Sequence, residues 1–413
     1  MSKPTDAKLA KMLVQAELEA EAWPRGFKFA AGHCGLKRKS PDLALVTCGA
    51  GANGEAPVAC AAVFTTNRLQ APPVRLSRDH LKASGGRVRA LIVNSGNANC
   101  ATGPVGERAA KATAAAVARA LGCATEQVFV CSTGVIGSPL PYDKIVDAVP
   151  EWVQRDDGPN AAAQAILTTD TCAKLAAVRF RDGAHEYRIA GFAKGSGMIH
   201  PNMATMLAFM FTDAPLTPAA ARTALRRAVD QSFHRITVDG DTSTNDTAAL
   251  FSSGKGKLSA AGTRRFQEAL DEVAQSLARQ IVLDGEGASH FVTVEVEGAR
   301  TAAEADRAAR AIAHSPLVKT ALAGADANWG RVLAAAGYSG AAFDPGQAAI
   351  WFSGLPVYRK GVALPFDEVE AKLRLERPEV GVRIHLNAGI ARSWMWTCDL
   401  TEDYIRINGS YRT

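Results

Sequence analysis

The stretch KGSGMIHPNMATMLAFMFTDA, residues 194–214, passes from a glycine-rich turn through a polar segment into an apolar run. Residues 206–211 are uniformly apolar and are followed by turn residues, which predicts a short buried strand. Thr205 stands where the irregular loop meets this strand. A loop side chain beside a rigid strand can be exposed and yet firmly held, so Thr205 is a candidate nucleophile.

The neighbours of Thr205 suit this chemistry. Ala204 has a small side chain that leaves its carbonyl group open to attack, and Gly195 and Gly197 allow another backbone to approach closely. Lys194 adds a positive charge nearby in the sequence. The alternative is purely structural, because β-branched threonine is also common at the start of strands, where it packs well on a pleated surface.

The chain of 413 residues, 47% of them hydrophobic, is long enough for two domains or one large layered unit with a substantial core. Strand-like runs alternate with loops and helical patterns, as in residues 90–99, a buried strand that ends in an Asn/Gly loop, and the alanine-rich helix 104–121, which ends at Gly122. Thr217 and Pro218 form a typical N-cap and first position of a further helix. This alternation predicts an α/β (α+β layered) fold.

Charge, cysteine and histidine patterns exclude several classes of protein. The net charge of +6 comes from scattered residues, without the basic stripe and interleaved aromatics of a nucleic-acid-binding surface. The eight cysteines contain no CxxC pair and the eight histidines no HExxH spacing, so we expect reduced thiols and no metal. The sequence has no membrane-length apolar run, and residues 1–21 lack the apolar core of a secretion signal, so a cytoplasmic protein is expected.

A formal GxGxxG motif lies at residues 49–54, after the strand-like residues 42–48. A dinucleotide-binding fold would require a helix to begin at once. Pro57 and the strand-like residues 61–64 follow instead, which favours a hairpin turn. Binding of a nucleotide or nucleic acid without catalysis is therefore a hypothesis that rests only on this motif and on the basic excess.

Ordered motifs run along nearly the whole chain. They are AAVFTTNRLQ (61–70), NSGNAN (94–99), STGVIG (132–137), TTDT (168–171), RITVDGDTSTNDT (235–247), DGEGAS (284–289), NWGR (328–331) and the closing NGSYRT. Together with the Ala-Thr-Met-Leu segment around Thr205, they resemble the glutamate N-acetyltransferase/ornithine acetyltransferase family of arginine biosynthesis. The resemblance implies a DmpA/ornithine-acetyltransferase-like fold, with mixed sheets covered by helices.

The resemblance also implies a precursor that cuts itself between Ala204 and Thr205. Residues 1–204 would become an α-chain, and residues 205–413 a β-chain that starts at the nucleophile. The sequence has no repeat, low-complexity tract or obvious linker, which predicts that the two halves pack as one interlocked unit. An α2β2 heterotetramer of two cleaved protomers is the implied assembly.

A threonine hydroxyl needs a base at neutral pH. Cleavage before Thr205 would provide one, because a free α-amine has an unperturbed pKa of about 7.7 to 8.0 and can accept the hydroxyl proton of its own residue. The resemblance assigns stabilisation of the oxyanion to Thr133 and Gly134. The alternative for these two residues is an ordinary Ser-Thr-Gly turn.

The implied reaction is ping-pong transfer of an acetyl group from N2-acetyl-L-ornithine to L-glutamate, without a cofactor and with acetyl-CoA left open as an additional donor. The family positions that contact substrate correspond to Thr171, Lys194, Thr205, Glu286, Asn408 and Thr413. Lys194 suits a carboxylate and Glu286 an ammonium group. The alternatives are that both are surface charges and that Thr171 is a helix cap.

A second hypothesis is an N-terminal-threonine amidohydrolase or aminopeptidase with the same acyl-enzyme, which would release acetate at a rate that does not depend on glutamate. The chain also departs from the family pattern. His234, His290 and Ala327 stand where the resemblance leads us to expect Asn, Lys and Pro. His290 follows the loop of Glu286, so it bears on how the acceptor is held.

Overall fold

The computed structural model describes residues 18–49, 56–200 and 206–410. The described residues form two compact units. The larger unit draws on residues 18–234 and 241–281, and the smaller unit on residues 235–240 and 282–410. Ala204, Thr205, Thr413, residues 1–17 and most of the loop 49–54 lie outside the described residues.

The larger unit contains two β-sheets. Their strands are β1 (Phe27–Gly32), β2 (Leu43–Cys48), β3 (Val58–Phe64), β4 (Arg87–Val88), β5 (Ala90–Asn94), β6 (Val128–Ser132), β7 (Lys174–Asp182), β8 (His185–Lys194), β9 (Leu207–Thr212) and β10 (Thr247–Ser252). One sheet has the order β1-β2-β5-β6 and the other the order β4-β3-β10-β9-β8-β7. Both sheets are mixed, because β5 and β6 are parallel, as are β9 and β10, while the remaining neighbours are antiparallel.

Helices and short turns complete this unit. The helices are α1 (Pro72–Ala83), α2 (Gly103–Leu121), α3 (Asp143–Trp152), α4 (Pro159–Ala165), α5 (Pro218–Asp230) and α6 (Ala260–Leu283), with 3-10 turns at Ala20–Ala22, Thr125–Gln127 and Phe233–Arg235. Helices α2 and α3 share one hydrophobic core with the four-stranded sheet, and α5 contacts β3 and β10 of the six-stranded sheet. Mixed sheets covered by helices confirm the predicted α/β class.

An aromatic core lies between the two sheets. The ring centroids of Phe211 on β9 and Phe29 on β1 are 5.4 Å apart, and those of Phe251 on β10 and Phe129 on β6 are 6.0 Å apart. Strand β9 is buried along its whole length, as its uniformly apolar sequence predicted. The segment that follows Thr205 is therefore the well-packed centre of a sheet.

The smaller unit has one mixed sheet with the order β14-β13-β12-β15-β11-β16. Its strands are β11 (Phe291–Ala299), β12 (Ala349–Phe352), β13 (Leu355–Arg359), β14 (Val362–Ala363), β15 (Glu379–His385) and β16 (Ala391–Cys398). Its helices are α7 (Ala302–His314), α8 (Pro316–Ala323), α9 (Trp329–Gly337), α10 (Glu368–Leu375) and α11 (Glu402–Ser410), with a 3-10 turn at Pro345–Gln347. Helix α7 packs on β11 and β16 and shares a core with the sheet.

Local signals predicted many element ends correctly. Thr217 caps α5 by accepting the N–H of Ala220 at 3.2 Å, and Gly122 ends α2 in the left-handed conformation. Helix α1 was not predicted, because its first two residues are prolines and the segment resembles a loop. Prolines at the first positions of a helix cost no hydrogen bond, since those N–H groups have no partner within the helix.

Helices α8, α9 and α11 were also not predicted. In α9 the cap is Asn328, whose side chain accepts the N–H of Arg331 at 3.2 Å, directly after the buried Ala327. None of the described helices combines the length and the apolar character that a bilayer-spanning helix needs.

Candidate active site

Thr133 and Gly134 follow β6 in a loop that is locked to the loop after β5. The N–H of Thr133 donates to the carbonyl oxygen of Asn94 at 2.9 Å. Asn97 forms isolated bridges with Thr133 and with Val135, and Thr133 is buried. The motifs NSGNAN and STGVIG thus form one rigid pair of loops, which we call the oxyanion loops (residues 94–99 and 132–137).

Gly134 occupies a position that only glycine fits. Its φ is +128°, and a Cβ atom there would overlap the backbone of Gly96 and Asn97. Within the described ranges, the N–H of Gly134 donates to no acceptor. A backbone N–H that is held rigidly and has no protein acceptor is the kind of donor that stabilises an oxyanion.

Asn245 and Asp246 connect the oxyanion loops to the strand that follows Thr205. The side-chain amide of Asn245 donates to the carbonyl oxygen of Ser132 at 2.9 Å. The carboxyl group of the next residue, Asp246, accepts the N–H of Met206 at 3.1 Å. Because Met206 directly follows Thr205 in the chain, two adjacent residues join the start of β9 to the end of β6.

Asp246 is completely buried. Its second carboxyl oxygen, Oδ2, has no hydrogen-bond partner among the described residues. Burial raises the pKa of Asp246 well above its ordinary value, although the N–H of Met206 and the charge of Lys194 act in the opposite direction. The protonated, uncharged form of this acid is therefore favoured next to the residue that follows the candidate nucleophile.

Lys194 lies at the end of β8 and is only 2% exposed, so it is not a surface charge. Its Nζ donates to the hydroxyl of Thr168 at 2.7 Å and lies 3.7 Å from the carboxylate of Asp170. The same carboxylate accepts the Nζ of Lys174 and the N–H of Gly195, both at 2.6 Å. We call Asp170, Lys174 and Lys194 the lysine cluster.

Asp170 stays ionised in this cluster. Burial alone would raise the pKa of Asp170, but the charges of Lys174 and Lys194 outweigh burial and hold the pKa well below its ordinary value. Thr171 follows Asp170 in the irregular segment between α4 and β7 and is exposed. It is not a helix cap, and it is the next residue in the chain after Asp170 of the lysine cluster.

Glu286 and Asn408 meet in the smaller unit. The side-chain amide of Asn408 on α11 donates to the carboxylate of Glu286 at 2.8 Å. Glu286 is only 8% exposed, so it is not a surface charge either. Gly287 has a φ of +70°, and a Cβ atom there would overlap the backbone of Tyr404, which shows how closely α11 packs on the DGEGAS loop.

His290 continues this loop into β11. Its Nδ1 lies 2.9 Å from the carboxylate of Asp399, which also accepts the hydroxyl of Ser289. Burial would raise the pKa of Asp399, but the hydrogen bonds from His290 and Ser289 lower it below its ordinary value. His290, in the place of the expected lysine, therefore provides a partner for a buried carboxylate.

Thr133, Gly134 and Lys194 thus lie in the larger unit, and Glu286 and Asn408 contact each other in the smaller unit. The sequence analysis did not single out Asp170, Asn245 or Asp246, although the TTDT and TSTNDT motifs contain them. Their importance lies in contacts with distant backbone groups, which short motifs do not reveal. Within the described chain, no group of three His, Cys, Asp or Glu residues is arranged to hold a metal ion.

Comparison with known proteins gives consistent matches along the chain. The sequence profile of the ArgJ family matches residues 28–413. The arginine biosynthesis bifunctional protein ArgJ of Chlorobaculum tepidum is 47% identical over 401 residues, which are 96% of this chain and 98% of that protein. The protein of the same name from Thermus thermophilus is 49% identical over 391 residues, 94% of this chain and 99% of that protein. The crystal structure of the ArgJ protein of Bacillus halodurans is 40% identical and matches with a TM-score of 0.48, over 50% of this chain and 100% of that chain.

Proposed function

The chain belongs to the ArgJ family, and we propose that it transfers an acetyl group from N2-acetyl-L-ornithine to L-glutamate through an acetyl-Thr205 intermediate. The relatives are named arginine biosynthesis bifunctional proteins, which agrees with this reaction. Thr205 becomes the catalyst when the precursor cuts itself between Ala204 and Thr205.

The observation that carries the proposal is the N–H of Gly134. Within the described residues it is rigid and has no acceptor, and the neighbouring Thr133 is buried and carries a hydroxyl. Asn245 and Asp246 tie this loop to Met206, the residue after Thr205. Both self-cleavage and acyl transfer pass through a tetrahedral oxyanion, and donors held in advance lower the barrier of such steps.

Self-cleavage uses the hydroxyl group of Thr205. Its oxygen attacks the carbonyl carbon of Ala204, and the peptide nitrogen leaves with a proton to become the α-amine of Thr205. Water then hydrolyses the ester and releases the carboxylate of Ala204. The new α-amine can accept the hydroxyl proton of the same residue, as other N-terminal nucleophiles do.

Acetyl transfer then takes two half-reactions. The Thr205 oxygen attacks the acetyl carbonyl of the donor while its proton passes to the α-amine, and ornithine leaves after taking that proton to its own nitrogen. The amine of glutamate next attacks acetyl-Thr205, and its proton returns to the threonine oxygen as N-acetylglutamate departs. No cofactor is needed, and acetyl-CoA would enter, if used, as a second donor in the first half-reaction.

Charged groups of the candidate site match the substrates. Both are amino-acid derivatives, and Lys194 suits their shared carboxylate because it is a buried ammonium group held in place by Thr168 and Asp170. Glu286, oriented by Asn408, suits an ammonium group. Thr171 and Thr413 are proposed as further substrate contacts.

The α-chain (residues 1–204) and β-chain (residues 205–413) would remain together after the cut. Strand β8 from the first pairs with β9 from the second along six residue pairs, from Ile189↔Thr212 to Lys194↔Leu207. Strand β3 of the α-chain likewise pairs with β10 of the β-chain. We propose that two such cleaved protomers form an α2β2 assembly.

The test is the intact mass of the purified protein before and after incubation with N2-acetyl-L-ornithine. We expect two polypeptides that break at Ala204/Thr205 and an acetyl adduct on the β-chain alone. Thr205→Ala should remain one uncut, inactive chain. Thr223→Ala, on the exposed face of α5, is the matched control and should cleave and acetylate as the wild type does.

An uncleaved wild-type chain that is fully active would refute the proposal. Release of free acetate at the same rate with and without glutamate would identify a hydrolase instead. Initial rates with acetyl-CoA and with acetylornithine, measured on the same preparation, decide whether acetyl-CoA is a donor.

A further inference from the structure

A third lysine, Lys37, reaches the candidate site from the loop between β1 and β2. Asp42 organises this loop and accepts the backbone N–H of Lys37 at 2.9 Å. The Nζ of Lys37 donates to the carbonyl oxygens of Leu167 at 2.7 Å and Pro41 at 2.9 Å. These contacts hold the ammonium group in one place.

The Lys37 side chain lies between the oxyanion loops and the lysine cluster. Its stem crosses Gly96, where a Cβ atom would be 2.9 Å from Lys37 Cγ, and the backbone of Gly96 packs in turn against Gly134. Its Nζ binds the residue before Thr168, whose hydroxyl accepts the hydrogen bond from Lys194. The ammonium group of Lys37 is therefore close to both parts of the site.

One donor of this ammonium group has no acceptor among the residues that the structure describes. An ammonium group has three N–H donors, and the carbonyl oxygens of Leu167 and Pro41 take two of them. No other acceptor for Lys37 Nζ lies in the part of the chain that the structure describes. The side chain is half-buried, so a small molecule in the site can reach the third donor.

Lys37 can change its charge near neutral pH. Burial lowers the pKa of Lys37 to about 8, and the positive charge of Lys194 lowers it too, while the carboxylates of Asp42 and Asp170 act in the opposite direction. Two ammonium groups that repel each other bind an anion between them favourably.

We propose that Lys37 binds the side-chain carboxylate of the glutamate acceptor, beside Lys194, which binds the carboxylate that both substrates share. This inference rests on the proposed function. The acceptor has a second carboxylate, whereas ornithine has an ammonium group on its side chain. A lysine that readily loses its proton to solvent suits both substrates, because its charged form pairs with the carboxylate of glutamate and its neutral form does not repel the ammonium group of ornithine.

The test compares the two half-reactions in Lys37→Met, Lys37→Arg and the control Lys39→Met. Methionine keeps the apolar stem over Gly96, and Lys39 is an exposed lysine of the same loop. In Lys37→Met, kcat/KM for glutamate should fall roughly ten- to hundredfold, the effect of losing a hydrogen bond to a charged group. The value for acetylornithine should stay within about threefold, because no charge pair is lost there. Lys39→Met should match the wild type for both.

The arginine variant provides a second, independent readout through its pH profile. In the wild type, kcat/KM for glutamate should decline above about pH 8, as Lys37 loses its charge. Arginine stays charged throughout, so in Lys37→Arg this decline should disappear, and kcat/KM for acetylornithine should fall through repulsion. If Lys37→Met does not accumulate as folded protein, the pH profile of Lys37→Arg by itself tests whether Lys37 binds the carboxylate of glutamate.

An unchanged kcat/KM for glutamate in Lys37→Met, or equal losses for both substrates, would overturn the inference. So would a pH profile in Lys37→Arg that is identical to that of the wild type. Intact mass separates the two proposals: if acetylornithine never acetylates the wild-type β-chain, the proposed function fails, whereas normal acetylation with unchanged glutamate kinetics refutes only the role of Lys37.

Discussion

The carboxyl group of Asp246 accepts the backbone N–H of Met206 at 3.1 Å, so a fully buried acid holds the first residue after the proposed nucleophile. Burial raises the pKa of this acid. An ionised carboxylate here would lack a partner for Oδ2 among the described residues. Burial therefore favours the protonated form of the acid that supports the start of β9 more strongly than water would.

This proton makes the stability of the larger unit depend on pH. Since the pKa of Asp246 is higher in the folded than in the unfolded chain, its contribution is fully present below the unfolded value and is lost as pH rises toward the folded value. Asparagine cannot ionise. The free energy of unfolding of Asp246→Asn should therefore rise relative to that of the wild type as pH rises, by up to about 1.4 kcal/mol per pH unit. Denaturant unfolding between pH 4.5 and 7.5 measures the difference, and a constant difference would contradict the assignment.

Thr133→Val should separate folding from catalysis. Valine has nearly the same shape, so the variant should fold, but it lacks the hydroxyl proposed to stabilise the oxyanion. We expect kcat to fall by a factor of about 10² to 10³, and self-cleavage to slow as well. Thr133→Ser keeps a hydroxyl and should recover most of the rate. Equal activity of the valine and serine variants would remove Thr133 from the mechanism.

Substituting alanine for Gly134 and for Gly137 separates two costs in the oxyanion loops: the cost of a positive φ and the cost of a steric overlap. Both glycines have a positive φ, but a Cβ at Gly134 would overlap neighbouring backbone, whereas the space around Gly137 is open. Gly137→Ala should cost about 1 to 2 kcal/mol of stability, the price of a left-handed alanine. Gly134→Ala should cost clearly more, because the paired loops must separate. Thermal unfolding of both variants checks this order, and equal losses would contradict it.

Asp170→Asn should destabilise the larger unit by about 3 to 5 kcal/mol at pH 7, because Lys174 then remains buried without its carboxylate. The folded-state pKa of Asp170 is depressed, so its contribution is present above the unfolded value and is lost as pH falls toward the folded value. The difference in free energy of unfolding between the wild type and Asp170→Asn should therefore become smaller below about pH 4.

The double variant Asp170→Asn/Lys174→Met serves as the control for this ion pair. It removes both charges, so it should be less destabilised than Asp170→Asn alone. Denaturant unfolding of the wild type, of both single variants (Asp170→Asn and Lys174→Met) and of the double variant measures the coupling. Additive losses would mean that Asp170 and Lys174 do not depend on each other.

Local sequence chemistry predicted much of the fold and of the site. The apolar run after Thr205 predicted β9, and Thr217 predicted the start of α5, because burial and capping are properties of a few adjacent residues. The family resemblance selected Lys194 and Glu286, and the structure places both in buried positions. Helix α1 escaped prediction, since prolines are as common in loops as at helix starts.

The sequence by itself determined which strands lie in the core, since this depends on composition and local pattern, and through its family motifs it supplied the candidate site residues. Only the tertiary structure decided which of these residues and strands contact one another. Lys37 and Leu167 are 130 residues apart in the chain and are joined by one hydrogen bond. Asp246 is buried directly before β10, which pairs with β9 from a distant part of the sequence. Contacts of this kind depend on packing between distant segments, and packing is a property of the whole chain rather than of any one stretch.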